Sequence, residues 1–515
     1  MIGEELLLPE RMTVSGAGEA LAGRLDVEDG RHREGHRAYY DTFDGLLHGA
    51  GLSLVHADGR LSLLERDTGA LRATLSAPAP GKPLFAADLP PGALRDALLE
   101  LTDVRALLRL VRVHARERLI AVLDGEGKTV VRLALVQATA RGSARAASTL
   151  RPRIRLTGVR GYDKARRRVQ STLVDELGFK PADEPLVDEA VRVTGGVPGG
   201  FPSKLDLPLR PDQRTDTAAA VVLHRLLEVI EANLSGAIDD LDSEFLHDLR
   251  VAVRRSRAVQ RELKGAFPPQ ELARFRAEFR WLQQATGDAR DLDVHVLEFD
   301  AMRARVPEAM RGDLDPLLGV LRARRVKARR RMVAALRSER NQRLLSAWRE
   351  LLDGLESAPE GDRPDAARAI TEMAGERIGK VYRRMVKMGR AIDEASPAED
   401  YHELRKKGKE LRYLLELFGA PLYPGEVVKP MIKTLKGLQD VLGRHQDREV
   451  QIELLHALSG EVGRADGGEA ALMALGALIA RLAEDERAAR EEFAGRFAQF
   501  ASKEQRRLVK ETFAS

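Results

Sequence analysis

One helical segment occurs twice in this 515-residue chain, and the repeat restricts what the chain can fold into. Residues 244–267 read EFLHDLRVAVRRSRAVQRELKGAF, and the second copy begins at Asp400 with DYHELRKKGKELRYLLELFG. At about 100° per residue, positions three, seven and ten residues after a histidine share an arc of about 80°, in a row about 15 Å long. In both copies a histidine and three cations fill these positions: His247, Arg250, Arg254 and Arg257, then His402, Arg405, Lys409 and Arg412.

The apolar residues of each copy lie on a different helix face. Their spacing predicts an amphipathic helix with one packing face and one cationic face. The packing positions are Leu249, Val253, Val259 and Leu263 in the first copy, and Leu404, Leu411, Leu415 and Phe418 in the second.

The cationic face has two interpretations. A run of charges on a helix is ordinarily a solvated surface. Such surfaces normally mix charge signs to form i,i+4 pairs, whereas this row holds only histidine, arginine and lysine in both copies. Because stacked like charges repel, the row favours a bound anion.

The repeat extends beyond the basic helix. From histidine to the next matching glycine there are 40 residues in the first copy and 41 in the second, and the copies start 155 residues apart. The glycines, Gly287 and Gly443, stand where a helix C-cap is expected, and Asp291 and Asp447 stand where the next helix could be capped. These four residues are either helix-end architecture or part of a site. Further cations flank the repeat as secondary site candidates: Arg255, Lys406, Arg280, Lys436, Lys433 and Arg444.

Composition limits the classes of protein to consider. Lys and Arg number 84 against 79 Asp and Glu, so any affinity for anions must come from the placement of charge. Cysteine is absent, which excludes disulfides and thiolate metal sites. The first residues lack the pattern of a signal peptide, and no stretch has the length of a membrane span. We therefore expect a cytoplasmic protein without a membrane partner.

The first part of the chain, residues 1–192, reads as an α+β domain. Short alternating runs bounded by Gly, Asp or Pro predict strands, with a hairpin turn at 124–127. The predicted strands are 59–66, 71–76, 83–87, 117–123 and 129–136, and the predicted helices are 92–101 and 163–177.

Two motifs in this part resemble the CYTH, or triphosphate tunnel, family. The first is YYDTFD at 39–44, followed by Leu47 and GLSL at 51–54; the second is an R-x-R-L-x-x-x-L-D-x-x-G run at 116–127. The resemblance implies an antiparallel, tunnel-like or barrel-like sheet. In that family glutamates hold metal ions and Lys or Arg side chains hold a triphosphate.

The chain departs from the family where the chemistry lies. Residues 4–11, EELLLPER, lack the alternating glutamates and the following lysine; residues 52–57 lack the arginine-rich strand; and 151–156 carry arginines in place of late glutamates. Metal-dependent phosphoryl chemistry needs several oxygen ligands around Mg²⁺ or Mn²⁺. We therefore expect a degenerate domain without catalytic residues, metal or cofactor. The alternative is a CYTH-type inorganic triphosphatase using Mg²⁺ or Mn²⁺, for which the helical region gathers substrate.

A Gly- and Pro-rich linker, residues 193–214, leads into sequence that is helical almost to the end. We predict two helical bundles at 215–355 and 366–512. The duplicated H-x-x-R-x-x-x-[RK]-x-x-R helix, with its following L-x-x-x-x-G, resembles the CHAD family of conserved-histidine α-helical domains over about 215–510. The resemblance implies two duplicated four-helix bundles whose basic residues line a central groove or pore. It also implies binding of inorganic polyphosphate.

The chemistry of polyphosphate suits these helices. A polymer of charged phosphates without bases calls for forked arginine donors and no stacking platform, and only Tyr401 and Tyr413 lie near the basic faces. His247 and His402 could add charge as the pH falls, or could be neutral hydrogen-bonding residues. We predict a non-catalytic polyphosphate-binding protein that can associate with polyphosphate granules and has no specific nucleic acid partner. After polyphosphate binding and the triphosphatase, the third hypothesis is a general nucleic-acid-binding or scaffold protein that uses the same basic faces.

Overall fold

The protein is described here by a computed structural model that covers residues 4–142, 146–202, 205–393 and 395–513. The chain divides into two compact units, Met1–Ser203 and Lys204–Ser515. The predicted linker at 193–214 spans this division, and its residues 203 and 204 lie outside the described chain. Each unit is described by itself.

The N-terminal unit contains one antiparallel sheet in the order β10-β1-β9-β7-β6-β2-β3-β4-β5, with β8 paired to β7. The strands are β1 (Glu4–Leu7), β2 (Val27–Asp41), β3 (Leu52–Ala57), β4 (Arg60–Glu65), β5 (Leu71–Ser76), β6 (Leu108–Leu123), β7 (Thr129–Arg141), β8 (Ser148–Thr149), β9 (Arg153–Gly158) and β10 (Lys180–Pro181). The helices are α1 (Val14–Ala22), α2 (Leu46–Gly49), α3 (Ala93–Thr102), α4 (Asp163–Ser171) and α5 (Leu186–Val193). An antiparallel sheet is therefore confirmed, while closure into a tunnel stays a prediction.

Strand alternation gives the sheet two different faces. One face packs Ile120, Leu133 and neighbouring residues against α1 and α4. On the opposite face, Val113 and Val136 pack against Ala190 of α5. Helix α5 therefore covers part of the face that would line the interior of a tunnel.

Most predicted elements of this unit are confirmed, with one exception. The hairpin turn is present, since Asp124 N donates to Lys128 O at 2.9 Å and Gly127 has a φ of 76°. The strand predicted at 83–87 is wrong: Leu84 forms an isolated bridge with Leu107, and the chain then enters a 3₁₀ turn at Ala86–Asp88. Pro83 has no N–H to donate, so the backbone hydrogen bonds that start at Leu84 cannot continue through residue 83.

The C-terminal unit is helical, as predicted. Its helices are α6 (Thr215–Asp239), α7 (Ser243–Glu262), α8 (Pro269–Ala285), α9 (Gly287–Leu297), α10 (Phe299–Arg303), α11 (Asp315–Leu336), α12 (Glu339–Asp353), α13 (Ile370–Arg390), α14 (Ala398–Leu414), α15 (Ala420–Leu422), α16 (Gly425–Val462), α17 (Gly468–Phe500) and α18 (Lys503–Phe513). Helices α7 and α14 are the two copies of the repeat. Within the described chain, none of the helices combines the length and apolar composition needed to cross a bilayer.

The predicted packing faces of α7 and α14 are confirmed, because every one of the eight apolar positions is buried: Leu249, Val253, Val259, Leu263, Leu404, Leu411, Leu415 and Phe418. The basic residues of the same helices lie on another face, where Arg250 is itself buried.

The two halves of the helical unit share a hydrophobic core at one end. Phe299, Leu317 and Leu321 from the first half pack with Leu458 and Leu478 from the second. Helices α16 and α17 are long enough to reach α10 and α11, so the halves form one unit there.

Candidate functional site

Two ion pairs fix how the repeated helices meet. Arg255 and Glu416 pair at 2.6 Å, and Arg261 and Glu410 pair at 2.8 Å. Counted from the histidine of its copy, the first pair joins position 8 of the first copy to position 14 of the second, and the second pair joins position 14 of the first copy to position 8 of the second. This exchange of positions places the two helices antiparallel, with their basic residues on the same side.

A cleft of about 480 Å³ lies where α7, α14 and α16 come together. Six cationic side chains from both copies line it, with His247 and the acids Asp440 and Asp447: Arg254, Arg255, Arg405, Lys409, Arg412 and Arg444. The structure therefore brings seven of the fourteen predicted site residues to one cavity. We call this cavity the basic cleft.

Lys409 is the most strongly perturbed residue of the basic cleft. Burial, followed by the charges of Arg405 and Arg254, lowers the pKa of Lys409 to about 8, and Asp447 opposes the shift only in part. The charged form of a lysine is disfavoured when its side chain is partly buried and arginines lie around it. An anion in the cleft would relieve it.

Arg254, Arg255 and Arg412 have partners that position them. Arg254 Nε donates to the Tyr413 hydroxyl at 3.4 Å, and the Arg255 guanidinium lies 5.9 Å from the centre of the Tyr413 ring. Glu416 accepts from Arg255 and from Arg412, each at 2.6 Å. Although burial would raise it, the hydrogen bond from Arg412 and the charge of Arg255 keep the pKa of Glu416 below its usual value. Glu416 therefore stays ionised and holds both arginines at the cleft.

Two further acids hold arginines of the basic cleft. Arg405 donates to Asp447 at 3.1 Å, and Arg444 pairs with Glu492. The carboxylate of Asp447 is largely exposed and that of Glu492 partly exposed, so water or an anionic ligand can replace them at little cost. Sequence reasoning left Asp447 open between helix-end architecture and a site role, and placed Tyr413 near the basic face without a partner. It missed Glu416, because the role of this residue depends on contacts between helices.

Arg250 does not line the basic cleft, although its spacing matches that of Arg254. Its side chain is buried, and Nη1 donates to Gln283 O at 2.8 Å and to Thr286 Oγ1 at 3.0 Å. Burial lowers the pKa of Arg250 to about 10. The side chain thus joins α7 to the junction between α8 and α9.

Arg257 and Arg280 belong to a second cationic group beside the cleft. Arg257 donates to the Gln283 side chain, and burial, then the charges of Arg280, Arg261 and Arg276, lower its pKa. These residues lie on α7 and α8 and extend the cationic surface away from α14.

The remaining predicted site residues lie outside the cleft lining. The Nδ1 of His402 contacts the side-chain oxygen of Gln446, and Lys406 is exposed and pairs with Glu403 at 2.6 Å. Lys433 and Lys436 are exposed on α16, on the helical turns before the cleft.

The predicted helix end is present in the first copy, where α8 ends just before Gly287, and wrong in the second. Gly443 and Asp447 lie inside α16, and Asp291 lies inside α9. Gly287 begins α9 directly after α8, and it does not adopt a left-handed conformation. A β-carbon at Gly287 would lie 3.7 Å from Arg250 Nη1, and one at Gly443 would lie 3.5 Å from Arg405 Nη2. Both distances are ordinary van der Waals contacts, so the repeated glycine lies beside the repeated arginine, and a β-carbon would fit there without displacing the guanidinium.

Arginines and glutamates alternate across one face of the N-terminal sheet. Glu117 pairs with Arg37 at 3.2 Å and with Arg155 at 3.5 Å. Glu5 then pairs with Arg155 at 3.5 Å and with Arg153 at 2.6 Å. These pairs border a cleft of about 640 Å³ in this unit.

Helix α5 completes this ion-pair chain. Its Glu189 pairs with Arg153, which is fully buried, and its Asp188 pairs with Arg66 at 2.6 Å. Among the described residues, no group of three or more acidic or histidine side chains is placed to hold a metal ion. The acids of this face are therefore arranged as partners for arginine and do not fit the metal site that the CYTH resemblance implies.

The family comparison agrees with the geometry of the helical unit. Residues 221–456 match the model of the CHAD domain. This part of the protein is a CHAD domain. The match includes α7, α14 and the whole basic cleft, and it confirms that part of the predicted resemblance. For the N-terminal unit, the antiparallel sheet is compatible with the predicted CYTH resemblance.

Two curated protein sequences are also similar to the chain. An uncharacterised protein of Mycobacterium tuberculosis, named MT2285 in strain CDC 1551 and Rv2226 in strain H37Rv, is 28% identical over 306 residues. The match covers 56% of this chain and 56% of each relative, so it spans about half the length of the curated relatives.

Two solved structures are also similar. The CHAD domain from the plant Ricinus communis is 25% identical, with a TM-score of 0.48 over 57% of this chain and 94% of that one. PptA from Streptomyces chartreusis is 18% identical, with a TM-score of 0.42 over 55% of this chain and 99% of that one.

Proposed function

We propose that the CHAD domain binds inorganic polyphosphate in the basic cleft without transforming it. One observation carries the proposal: cationic side chains from both copies of the repeat line a single cavity, and Lys409 is half-buried there among arginines. A polyanion supplies the charge that this arrangement lacks. The proposal includes the duplicated bundles at 215–355 and 366–512, each contributing its basic helix.

The side chains of the basic cleft suit phosphate better than nucleic acid. Arginine guanidinium groups donate in pairs to phosphate oxygens. The aromatic residue of the cleft lining, Tyr413, already contacts Arg254 and Arg255, so its ring offers little surface for base stacking. Tyr401, the other tyrosine near the repeat, is buried and stacks on His445.

We extend the proposed site beyond the cleft in two directions. Arg257 and Arg280 continue the cationic surface along α8, and Lys433 and Lys436 continue it along α16. A long chain could use these groups, whereas a short one would contact the cleft alone. Binding of this kind would bring a cytoplasmic protein to polyphosphate granules.

Calorimetric titration with polyphosphate of defined length tests this proposal. If about six cations release counterions, the logarithm of the affinity should fall with the logarithm of salt concentration with a slope of about −4. Single-stranded DNA of matched charge should compete weakly. Equal competition by DNA, or an affinity that does not change with salt, would contradict a polyphosphate site in the cleft.

A further inference from the structure

Lys409 differs from the neighbouring lysines in its surroundings. Lys406 and Lys407 pair with Glu403 and Glu410, at 2.6 and 2.8 Å. The charged groups that act on Lys409 are mainly arginines: Arg405 and Arg412 from its own helix and Arg254 from α7, opposed by Asp447 of α16. The other charged or titratable groups of the cleft lining are His247, Arg255, Tyr413, Asp440 and Arg444.

We propose that Lys409 is an acylation site, modified by small acyl phosphates such as acetyl phosphate whose phosphate group binds the arginines of the basic cleft. The arginines and the lysine line one cavity, so an acyl phosphate bound through its phosphate group would place its carbonyl carbon beside Nζ. Holding the two reactants together in this way raises the rate of a step that is otherwise bimolecular.

The reaction balances without a further reactant. The lone pair of the neutral Lys409 amine attacks the carbonyl carbon of the acyl phosphate. The bond between that carbon and the phosphate oxygen breaks, inorganic phosphate leaves with the bonding electrons, and the amine loses a proton to phosphate or water. The products are an amide at Lys409 and free phosphate. Positive charge around the leaving group stabilises it as it departs.

The protonation state of Lys409 makes it suitable as the nucleophile. Its pKa, lowered by burial and then by Arg405 and Arg254, is about 8. At pH 7.5 about a quarter of such amines are neutral, against about 0.1% for a lysine with an ordinary pKa. A less basic amine is also a weaker nucleophile, so the expected net advantage is about tenfold.

Acylation would change the cleft. The amide is uncharged, so the lining would lose one of its six Lys and Arg charges. Where the proposed function holds, this would lower the affinity for polyphosphate, and bound polyphosphate would in turn shield Lys409. The modification itself does not depend on polyphosphate binding.

The test treats the full chain with acetyl phosphate at pH 7.5 and measures acetylation of each lysine by mass spectrometry of peptides. We expect Lys409 to react about tenfold faster than Lys406. We also expect its rate to level off above about pH 8, while the rate at Lys406 keeps rising. A rate at Lys409 equal to or below that at Lys406, or a pH profile of the same shape, overturns the proposal.

Two further measurements separate the causes. In urea-unfolded protein the rates at Lys409 and Lys406 should become equal, because the cleft is lost. In Arg405→Gln, Lys409 should react more slowly and Lys406 unchanged; an unchanged rate at Lys409 in a folded variant counts against the proposal. Polyphosphate added to the wild type reports on the proposed function alone: fast acylation without protection would leave Lys409 an acylation site and remove polyphosphate as the ligand.

Discussion

Arg255 donates to Glu416 at 2.6 Å, and this contact joins position 8 of one copy of the repeat to position 14 of the other. Arg261 and Glu410 make the reverse connection at 2.8 Å. The first copy supplies both arginines and the second copy both glutamates. The duplicated helices thus carry opposite charges at equivalent positions, and the ion pairs between them fix the helices that border the basic cleft.

The Arg255–Glu416 pair should couple the two helices energetically. Both side chains are about 80% buried, so we expect a double-mutant cycle with Arg255→Gln and Glu416→Gln to give a coupling of about 1–2 kcal/mol in the free energy of unfolding. Urea unfolding of the four proteins measures it. The exposed pair Arg343–Glu339 is the control, with an expected coupling below about 0.5 kcal/mol. Equal coupling for the two pairs would contradict a structural role for the contact.

Arg250 and Arg254 should behave in opposite ways. Arg250→Met removes two buried hydrogen bonds, to Gln283 O and to Thr286 Oγ1, so we expect it to lower the free energy of unfolding by about 2–3 kcal/mol. Arg254→Gln removes a cleft cation, so it should cost about tenfold in polyphosphate affinity and little stability. Urea unfolding and calorimetric titration of both variants check this. A stable Arg250→Met protein with weak binding would place Arg250 at the ligand instead.

Lys409 should lower the free energy of unfolding of the unliganded protein. Its pKa is about 8 in the folded protein, below the ordinary lysine value of 10.5. The cost is therefore full below pH 8 and disappears as the pH rises from 8 towards 10.5, because the folded protein releases the proton first. Lys409→Gln should raise the free energy of unfolding by about 1 kcal/mol at pH 7, with a smaller gain at pH 10, while weakening polyphosphate binding.

Urea unfolding at the two pH values measures this effect, with the exposed Lys510→Gln as control. A variant that is destabilised at pH 7, or that binds polyphosphate as tightly as the wild type, would contradict the assignment of Lys409.

The N-terminal unit should not hydrolyse triphosphate. Its Glu5 and Glu117 are bound by Arg153, Arg155 and Arg37, so neither is available to coordinate Mg²⁺ or Mn²⁺ without leaving arginine unpaired. We expect no phosphate release from inorganic triphosphate with either metal above the rate without protein. Release that Glu117→Gln abolishes would restore the enzymatic alternative.

Helix periodicity predicted much of the helical unit, because a packing face is a property of one helix. It placed Leu249 and Leu411 in the core correctly. It could not separate Arg250 from Arg254, since both lie on the same face and only the arrival of the α8–α9 junction buries the first. Which part of a face stays open depends on neighbouring helices.

Local signals also misled at two places. Gly443 and Asp447 have the residue types of a helix end, yet α16 continues through both, with Leu438, Leu442 and Leu455 buried along it. Strand β2 was not predicted, since residues 28–37 are almost entirely charged or small and alternate no apolar residues. Its pairing with β6 along its whole length holds it in the sheet.

The most direct test compares Arg254→Glu/Arg405→Glu with Arg343→Glu/Arg507→Glu in polyphosphate titrations at one salt concentration. Both double variants change the net charge by the same amount. Arg254 and Arg405 line the basic cleft, whereas Arg343 and Arg507 are exposed on α12 and α18. With folding verified by circular dichroism, we expect the cleft variant to lose at least about 100-fold in affinity and the control less than about threefold. Equal losses would mean that polyphosphate responds to overall charge and that the cleft is not its site.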